Sequence, residues 1–347
     1  MRYVELTLSA QTAYAELFEQ VRSFELSRAI SGLSGSFHRM QRKGRSYWYF
    51  AYKDIDQTTR MVYVGPDDER IQAIVEKRRI NPRLDLQAQA QAAITLGCAT
   101  TAAKHFRVIK RLADYGFFRA GGILIGTHAF IVMANMLGVR WTEGSLTLDV
   151  DFAHAGRNVS LALPADIKID VRGALESLEM GLLPISELDG RLGAQYRNPS
   201  DPELRLDFVT SLTRSRKSVL MRELNLALEP LKFMEFSLEG TTQGCILARQ
   251  GAALVNLPSP ERYAVHKLIV YGERPIRERA KARKDLLQAA ALASYFHSTG
   301  SAKVFNAAWR DALSRGRGWR SRAKEGKKAL LGIAPELEIA ALWREAA

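Results

Sequence analysis

Cysteine is scarce in this sequence. The 347 residues include 2 cysteines, Cys98 and Cys245, which lie far apart and in neither a Cys-x-x-Cys nor a Cys/His metal spacing. This scarcity argues against a zinc site or a scaffold held together by disulfides. Cys98 lies in a helical pattern and Cys245 in a strand pattern, so we expect both thiols to be buried and reduced.

Long apolar runs are missing as well. A membrane-spanning helix needs about 18–20 apolar residues, and the longest candidate, from Gly121 to Gly138, is interrupted by polar residues. The N-terminal segment has no basic stretch followed by an apolar run, so no signal peptide is expected. We therefore expect a cytoplasmic protein with no membrane partner.

Acidic residues are outnumbered by basic ones. The chain has 50 Lys+Arg and 37 Asp+Glu, which gives a formal net charge of +13. Part of the excess is local, since residues 303–328 include nine Lys or Arg and two acids. This balance favours an anionic partner such as a nucleotide, RNA, DNA or an acidic surface. The alternative is a soluble protein that is basic for no functional reason.

Hydrophobic periodicity predicts an α+β protein in three parts. Residues 1–116 are predicted to be a helical N-terminal α/β region, in which SYWYFAY and MVYVG form a β-hairpin over residues 46–64. Residues 117–257 are predicted to form a mixed β-sheet with flanking helices. Residues 258–347 are predicted to form a helical, basic C-terminal domain.

Several local predictions accompany this layout. Helices are expected over residues 67–79 and 86–115, and a strand over residues 161–170. KFMEFSLEG, residues 232–240, is also predicted to be a strand. VFNAAWRDALSR is predicted to be a helix, followed by a basic, glycine-containing run and then by a last helix near residues 334–345.

The run TLDVDF has the residues best suited to catalysis. Alternate residues of a strand point to one face, so Asp149 and Asp151 project together. Two adjacent carboxylates repel each other unless a divalent cation, Mg²⁺ or Mn²⁺, lies between them. In RLDFV, Asp207 alternates with apolar residues in the same way. If the two strands are neighbours, Asp207 adds a third carboxylate to the metal site. The alternative is a solvated strand face, because Asp-x-Asp alone is a weak signal.

A glycine-rich turn lies upstream in GGILIGT. Gly126 would let the backbone approach a phosphate, Thr127 offers a hydroxyl, and the helix that follows presents free N–H groups to an anion. Gly121 and Gly122 are an alternative position for the phosphate turn. The turn also fits neither a GxGxxG nor a Walker A pattern, and a tight turn that needs positive φ would explain its glycines equally well.

This order of motifs resembles the polymerase-β-type nucleotidyltransferase superfamily, in which Gly-Thr at a helix start is followed by Asp-x-Asp and a later Asp on strands. The run PSPERYAVHKLIVYGERPIRERAKARKDLLQA and the hairpin YWYFAY…VYVGP are similar to a bacterial branch of that superfamily. That branch is distantly similar to abortive-infection type IV toxins. One departure is the 23-residue spacing between Gly126 and Asp149, which is longer than usual in the superfamily.

The resemblance implies a nucleotidyltransferase fold and Mg²⁺-dependent transfer of a nucleotidyl group from an NTP to a hydroxyl of RNA, such as a tRNA end, or of protein. It also implies that nucleotide contacts come from four residues after the sheet, namely Lys267, Lys281, Lys284 and Asp285. A toxin or defence role with an antitoxin-like partner is a further implication.

Two rival hypotheses stay open. The first is a nucleotide- or nucleic-acid-binding protein that keeps the fold without turnover, and the second is transfer to a small molecule. Under the RNA hypothesis, the basic residues of 104–111 and 303–328 would attract the RNA backbone.

Overall fold

The computed structural model describes most of the chain: residues 2–31, 35–42, 44–53, 59–69, 71–72, 75, 86–145, 147–155, 169–186, 192–211, 217–275 and 279–345. The segments predicted as a helix over residues 67–79 and a strand over residues 161–170 lie largely outside these ranges.

The helices of the described residues are α1 (Leu8–Ser31), α2 (Leu86–Thr95), α3 (Ala103–Asp114), α4 (Gly126–Met136), α5 (Val171–Glu176), α6 (Met234–Leu238), α7 (Pro260–Glu273), α8 (Arg279–Ser298), α9 (Ala302–Ser314), α10 (Arg317–Ile333) and α11 (Ala340–Trp343). The strands are β1 (Tyr3–Glu5), β2 (Gly35–Arg42), β3 (Arg45–Lys53), β4 (Thr59–Pro66), β5 (Gly122–Ile125), β6 (Val139–Trp141), β7 (Asp149–His154), β8 (Leu183–Ser186), β9 (Leu192–Asn198), β10 (Asp201–Ser211), β11 (Val219–Met221), β12 (Leu226–Leu231), β13 (Thr241–Ala248) and β14 (Gly251–Pro258). The predicted α+β class, with a mixed sheet and a helical C-terminal region, is confirmed.

The central sheet has seven strands of mixed direction. Five of them follow the order β11–β12–β10–β7–β5, while β9 pairs with β10 and β8 pairs with β9. β10 runs parallel to both β7 and β12, and the other pairs are antiparallel. The predicted 86–115 helix is interrupted in the structure, where α2 and α3 are separate helices.

Alternation along β7 and β10 separates an apolar face from a polar face. Val150, Phe152, Leu206 and Phe208 are fully buried. The rings of Phe152 and Phe208 stack with centroids 5.1 Å apart, and Phe117 packs edge-on against both. Because neighbouring residues of a strand point to opposite faces, this core leaves the acidic residues between them on the other side of the sheet.

The N-terminal helices pack on the β13–β14 hairpin. α1 contacts α2, and both contact β14. Leu17 and Val21 of α1 join Cys98 and Cys245 in one buried cluster. Both cysteines are free and buried, as the sequence predicts.

Strands β2, β3 and β4 form a separate antiparallel sheet. The predicted hairpin is confirmed as β3–β4, and β2 adds a strand that the sequence analysis did not anticipate. Trp48 anchors one face, since its Nε1 donates a hydrogen bond of 2.7 Å to Asp67 Oδ1 and its side chain is buried.

One local prediction is wrong, and one helix was not predicted. The KFMEFSLEG segment holds the helix α6, whose Met234, Phe236 and Leu238 are buried. The basic run after residue 316 is the helix α10, which buries Ala323, Gly326 and Leu330. Both segments bury small or closely spaced apolar side chains, a pattern that does not distinguish a short helix from a strand or loop.

One main core joins the three predicted parts of the chain. It contains Phe106 from the first, Phe152 from the second, and Tyr263 and Trp309 from the third. Among the described helices, none combines the length and the apolar character needed to cross a membrane.

Helices α7 and α10 approach each other closely through glycine. A Cβ on Gly326 would lie 2.2 Å from the carbonyl oxygen of Leu268, whereas Gly332 in the same helix has open space around it. We expect Gly326→Ala to lower the free energy of unfolding by about 1–3 kcal/mol, because the helices must move apart. Gly332→Ala should leave it unchanged or raise it by up to about 1 kcal/mol. Denaturant titration of both variants checks this, and equal effects would contradict the packing described.

Candidate active site

Three carboxylates lie on one face of the central sheet. In the parallel pairing of β7 with β10, Asp207 is the register partner of Asp151, and Arg205 is the partner of Asp149. Residues in register on paired strands point to the same side of the sheet. The strand adjacency on which a three-carboxylate site depends is therefore present.

The carboxylates are crowded. Burial, followed by the negative charge of Asp207, raises the pKa of Asp151 to about 6; Lys267 opposes this and Asp149 adds to it. Burial and Asp149 also raise the pKa of Asp207, although Arg205 counteracts them. Both shifts express the cost of holding several negative charges together away from water.

Gly126 provides the space that Asp151 occupies. Its φ is +62°, and a Cβ built on it would lie 2.0 Å from Asp151 Oδ2. The preceding residue, Ile125, is the register partner of Asp151 across the β5–β7 pair. Gly126 is also the first residue of α4, so the carboxylate lies beside the positive end of a helix. The space next to Gly126 that a side chain would fill is occupied by the Asp151 carboxylate. Contact of the Gly126 backbone with a phosphate stays a prediction.

Buried polar side chains support this turn. The Tyr263 hydroxyl lies 2.9 Å from the Gly126 carbonyl oxygen and 2.7 Å from Gln288 Oε1. Gln288 Nε2 donates to the Gly144 carbonyl oxygen at 2.8 Å and to Thr127 Oγ1 at 3.3 Å. The Thr127 side chain is 2% exposed. Thr127 is therefore part of the support of the turn, and its hydroxyl is already engaged.

Gly121 and Gly122 lie at the other end of β5. Gly122 pairs with His154, three residues along β7 from Asp151, a separation of about 10 Å at the usual rise of a strand. Both glycines are buried, and a Cβ on Gly122 would lie 2.3 Å from the Phe117 ring. They are not brought to the carboxylates, and close packing accounts for Gly122.

Lys267 and Asp285 bind each other. Lys267 Nζ lies 2.6 Å from Asp285 Oδ1, and their side chains are 15% and 3% exposed. Arg274 contacts the second oxygen of Asp285 at 3.0 Å. Burial acts to lower the pKa of Lys267, but Asp285 outweighs it and raises that pKa above its usual value. Asp285, whose side chain is nearly fully buried, therefore fixes a buried cation near Asp151.

Lys284 is the half-buried cation near the carboxylates. It makes no ion pair with any residue that the structure describes. Burial and then Lys267 lower its pKa, while Asp285, Asp151 and Asp149 act in the opposite direction. The side chain of Lys281 lies outside the described part of the chain.

The basic residues of α3 are largely engaged within the protein. Lys104 lies 3.1 Å from Asp201, and Lys110 lies 2.6 Å from Asp114. Arg107 donates to a backbone carbonyl oxygen. This helix therefore offers less free charge to an RNA than its sequence suggests.

The donor set suits a hard cation. Carboxylate oxygens are preferred ligands of Mg²⁺, which usually takes one or two of them and completes its shell with water and substrate phosphate. Among the residues described, no group of three or more His, Cys, Asp or Glu side chains is arranged to hold a metal alone. Asp149 and Asp151 of β7 have the carboxylate chemistry that Mg²⁺ prefers, in the number it usually takes from a protein.

Three residues near the site were not singled out from the sequence. Tyr263 and Gln288 support the Gly126 turn, and Arg205 places its Nε 3.9 Å from Asp149 Oδ1. The sequence does mark Gln288, because this residue is a single amide next to an alanine-rich run of a predicted helix. Arg205 shares the alternation that identified Asp207.

Comparisons with known proteins identify a family for this chain. A protein-family model described as "Nucleotidyltransferase" matches residues 103–314, more than half of the chain. The chain belongs to this nucleotidyltransferase family. The crystal structure of an antigenic nucleotidyltransferase-like protein from Paracoccidioides brasiliensis is 15% identical, with a TM-score of 0.36, over 70% of this chain and 94% of that chain. No curated protein sequence matches the chain significantly.

The contact between Gly126 and Asp151 can be tested without any ligand. Gly126→Ala should lower the free energy of unfolding by about 2–4 kcal/mol, since it adds a steric clash to a left-handed backbone. Gly300→Ala is the matched control, because Gly300 has φ +72° and open space around it. It should lower the free energy of unfolding by only about 1 kcal/mol, the cost of a left-handed backbone conformation for alanine.

The double variant Gly126→Ala/Asp151→Ala should lose at least about 1 kcal/mol less free energy of unfolding than the two single variants lose in sum, because the side chain that clashes with the new methyl group is gone. Denaturant titrations of the four proteins complete the cycle. Additive single effects would show that the glycine is needed for its backbone conformation alone.

Proposed function

We propose that the chain is an Mg²⁺-dependent nucleotidyltransferase that moves a nucleotidyl group from an NTP to a hydroxyl acceptor. The observation that carries the proposal is the register of β7 and β10, which sets Asp207 beside Asp151 with Asp149 on the same face. Membership of a nucleotidyltransferase family supports the reaction class. A repulsive carboxylate cluster that costs stability is hard to account for by structure alone.

Asp149 and Asp151 would hold the metal together with the triphosphate. When bound, Mg²⁺ supplies positive charge that offsets the phosphate oxygens. Lys284, Lys267 and Arg205 surround the same carboxylates. Their side chains would balance the negative charge of the triphosphate as the pyrophosphate separates.

Asp207 would act as the general base. Its raised pKa suits acceptance of a proton. The acceptor oxygen forms a bond to the α-phosphorus while the bond from that phosphorus to the bridging oxygen of the β-phosphate breaks. The acceptor proton passes to the Asp207 carboxylate, and pyrophosphate leaves with the bridging oxygen.

An RNA acceptor is favoured over a protein acceptor by the exposed cations of the C-terminal helices. Lys303, Arg310, Arg317 and Lys328 are exposed and make no ion pair with the described residues. Such side chains attract a phosphate backbone without reading its sequence. A toxin or defence role, with an antitoxin-like partner, belongs to this proposal through the resemblance of the sequence alone.

The test is transfer of label. The protein is incubated with Mg²⁺ and each α-³²P-labelled NTP in the presence of total cellular RNA and protein. We expect label in RNA, removed by ribonuclease, and a loss of at least about 100-fold in Asp149→Ala and in Asp207→Asn. Asp201→Asn is the matched control on β10, where Asp201 pairs with Lys104, and should retain transfer.

The outcomes separate the rival functions. Label in protein instead of RNA would show that the acceptor is a protein, while the reaction would still be nucleotidyl transfer. Binding of NTP without transfer by the wild type would contradict the catalytic proposal and leave a nucleotide-binding protein. Equal transfer by wild type and the Asp149→Ala variant would place the chemistry elsewhere.

A further inference from the structure

The sheet formed by β2, β3 and β4 has an exposed aromatic face. Tyr47 and Tyr49 of β3 and Tyr63 of β4 line a pocket of about 440 Å³ together with Arg42 of β2. Tyr63 is 53% exposed. The volume falls within the range of roughly 300–1,000 Å³ that is typical of small-ligand sites. Contiguous exposed apolar surface of this kind commonly marks a site of interaction.

The three rings form one cluster. The centroid of the Tyr63 ring lies 6.0 Å from that of Tyr47 and 5.6 Å from that of Tyr49, at interplanar angles of 55° and 69°. The Arg42 guanidinium lies 5.6 Å from the Tyr49 ring centroid. An edge-to-face contact covers at most one face of a ring, and the exposed Tyr63 ring is the one best placed for a flat ligand to stack on.

The charged residues of the three strands have a single sign. The strands β2, β3 and β4 contain five Lys or Arg residues and no Asp or Glu, and one of the five, Arg39, pairs with Asp67 just after β4. Arg42 and Arg45 are register partners and both are exposed, and within the described residues neither makes an ion pair. Like charges directly opposite each other destabilise a sheet. An anion between the two guanidinium groups would remove that repulsion.

The aromatic rings and the positive charge together restrict the chemical class of the ligand. Three aromatic rings could enclose a quaternary ammonium group, but the guanidinium of Arg42 in the same pocket would repel any cation. An apolar peptide would leave the arginines without a partner. A ligand that has both flat rings and regularly spaced negative charges satisfies both features. Single-stranded nucleic acid has this composition, since its bases stack on aromatic side chains while basic residues contact its phosphates.

We propose that the exposed face of β2–β4 binds single-stranded nucleic acid, with bases stacked on Tyr47, Tyr49 and Tyr63 and phosphates held by Arg42 and Arg45. This surface is built from residues outside the carboxylate site and does not depend on nucleotidyl transfer. Duplexes are excluded from this mode, because their bases are already stacked on each other.

The experiment measures fluorescence anisotropy of labelled oligouridine RNA, about 12 nucleotides long, with the full chain and without NTP or divalent metal. We expect the Kd to rise roughly 5- to 150-fold in Tyr63→Leu and in Tyr49→Leu, because one stacking surface is removed. Tyr63→Phe keeps the ring and should stay within about 2-fold of wild type. Met61→Leu is the matched control, since Met61 is exposed on β4 but does not line the pocket.

The charge contribution is measured in the same way. Arg42→Gln should weaken binding and reduce its dependence on salt, in proportion to the lost phosphate contact. Single-stranded DNA of the same length tests whether the surface distinguishes RNA from DNA, and a duplex of that length should compete poorly. Thermal unfolding of each variant confirms that the proteins compared are folded.

Three results would overturn the proposal. One is the absence of binding to single strands by the wild-type chain, and another is equal binding by wild type and Tyr63→Leu. The third is equal loss in Tyr63→Phe and Tyr63→Leu, which would assign the contact to the hydroxyl and not to stacking. None of these readouts involves transfer, so the proposed catalytic function stands or fails separately.

Discussion

The parallel pairing of β7 with β10 is the constraint on which the rest of the structure depends. A shift of one residue in a strand moves all its side chains to the opposite face. The buried pair Phe152 and Phe208 fixes the register from the core side, because both rings stack there. With that register set, Asp207 can only lie beside Asp151 on the other face. The same alternation thus produces the core and the acidic site.

Helices α7 and α8 of the C-terminal region support the site. Tyr263 of α7 and Gln288 of α8 reach the turn at Gly126, and the ion pair of Lys267 with Asp285 joins the two helices. A buried pair of this kind gives little net stability but fixes geometry, since removing one partner leaves an uncompensated charge. The helical region is therefore part of the site and is linked to it by specific polar contacts.

Local patterns in the sequence predicted the strands and acids of the site but not its three-dimensional contacts. Alternation identified Asp151 and Asp207, because one buried and one polar face impose it. Nothing local could show that Lys267 would bind Asp285, or that Asp151 would fill the space at Gly126, because both contacts join distant segments. The helix α10 was missed for a local reason, since its buried face consists of small residues among charged ones.

The central claim is that the carboxylates of β7 hold a metal together with a nucleotide. Its most direct test is electron paramagnetic resonance of Mn²⁺ with a non-hydrolysable NTP analogue, using wild type and the Asp149→Ala/Asp151→Ala variant. We predict that protein-bound Mn²⁺ appears only when the analogue is present and is lost in the variant. Equal Mn²⁺ binding by both proteins would contradict the claim and place the metal and nucleotide elsewhere.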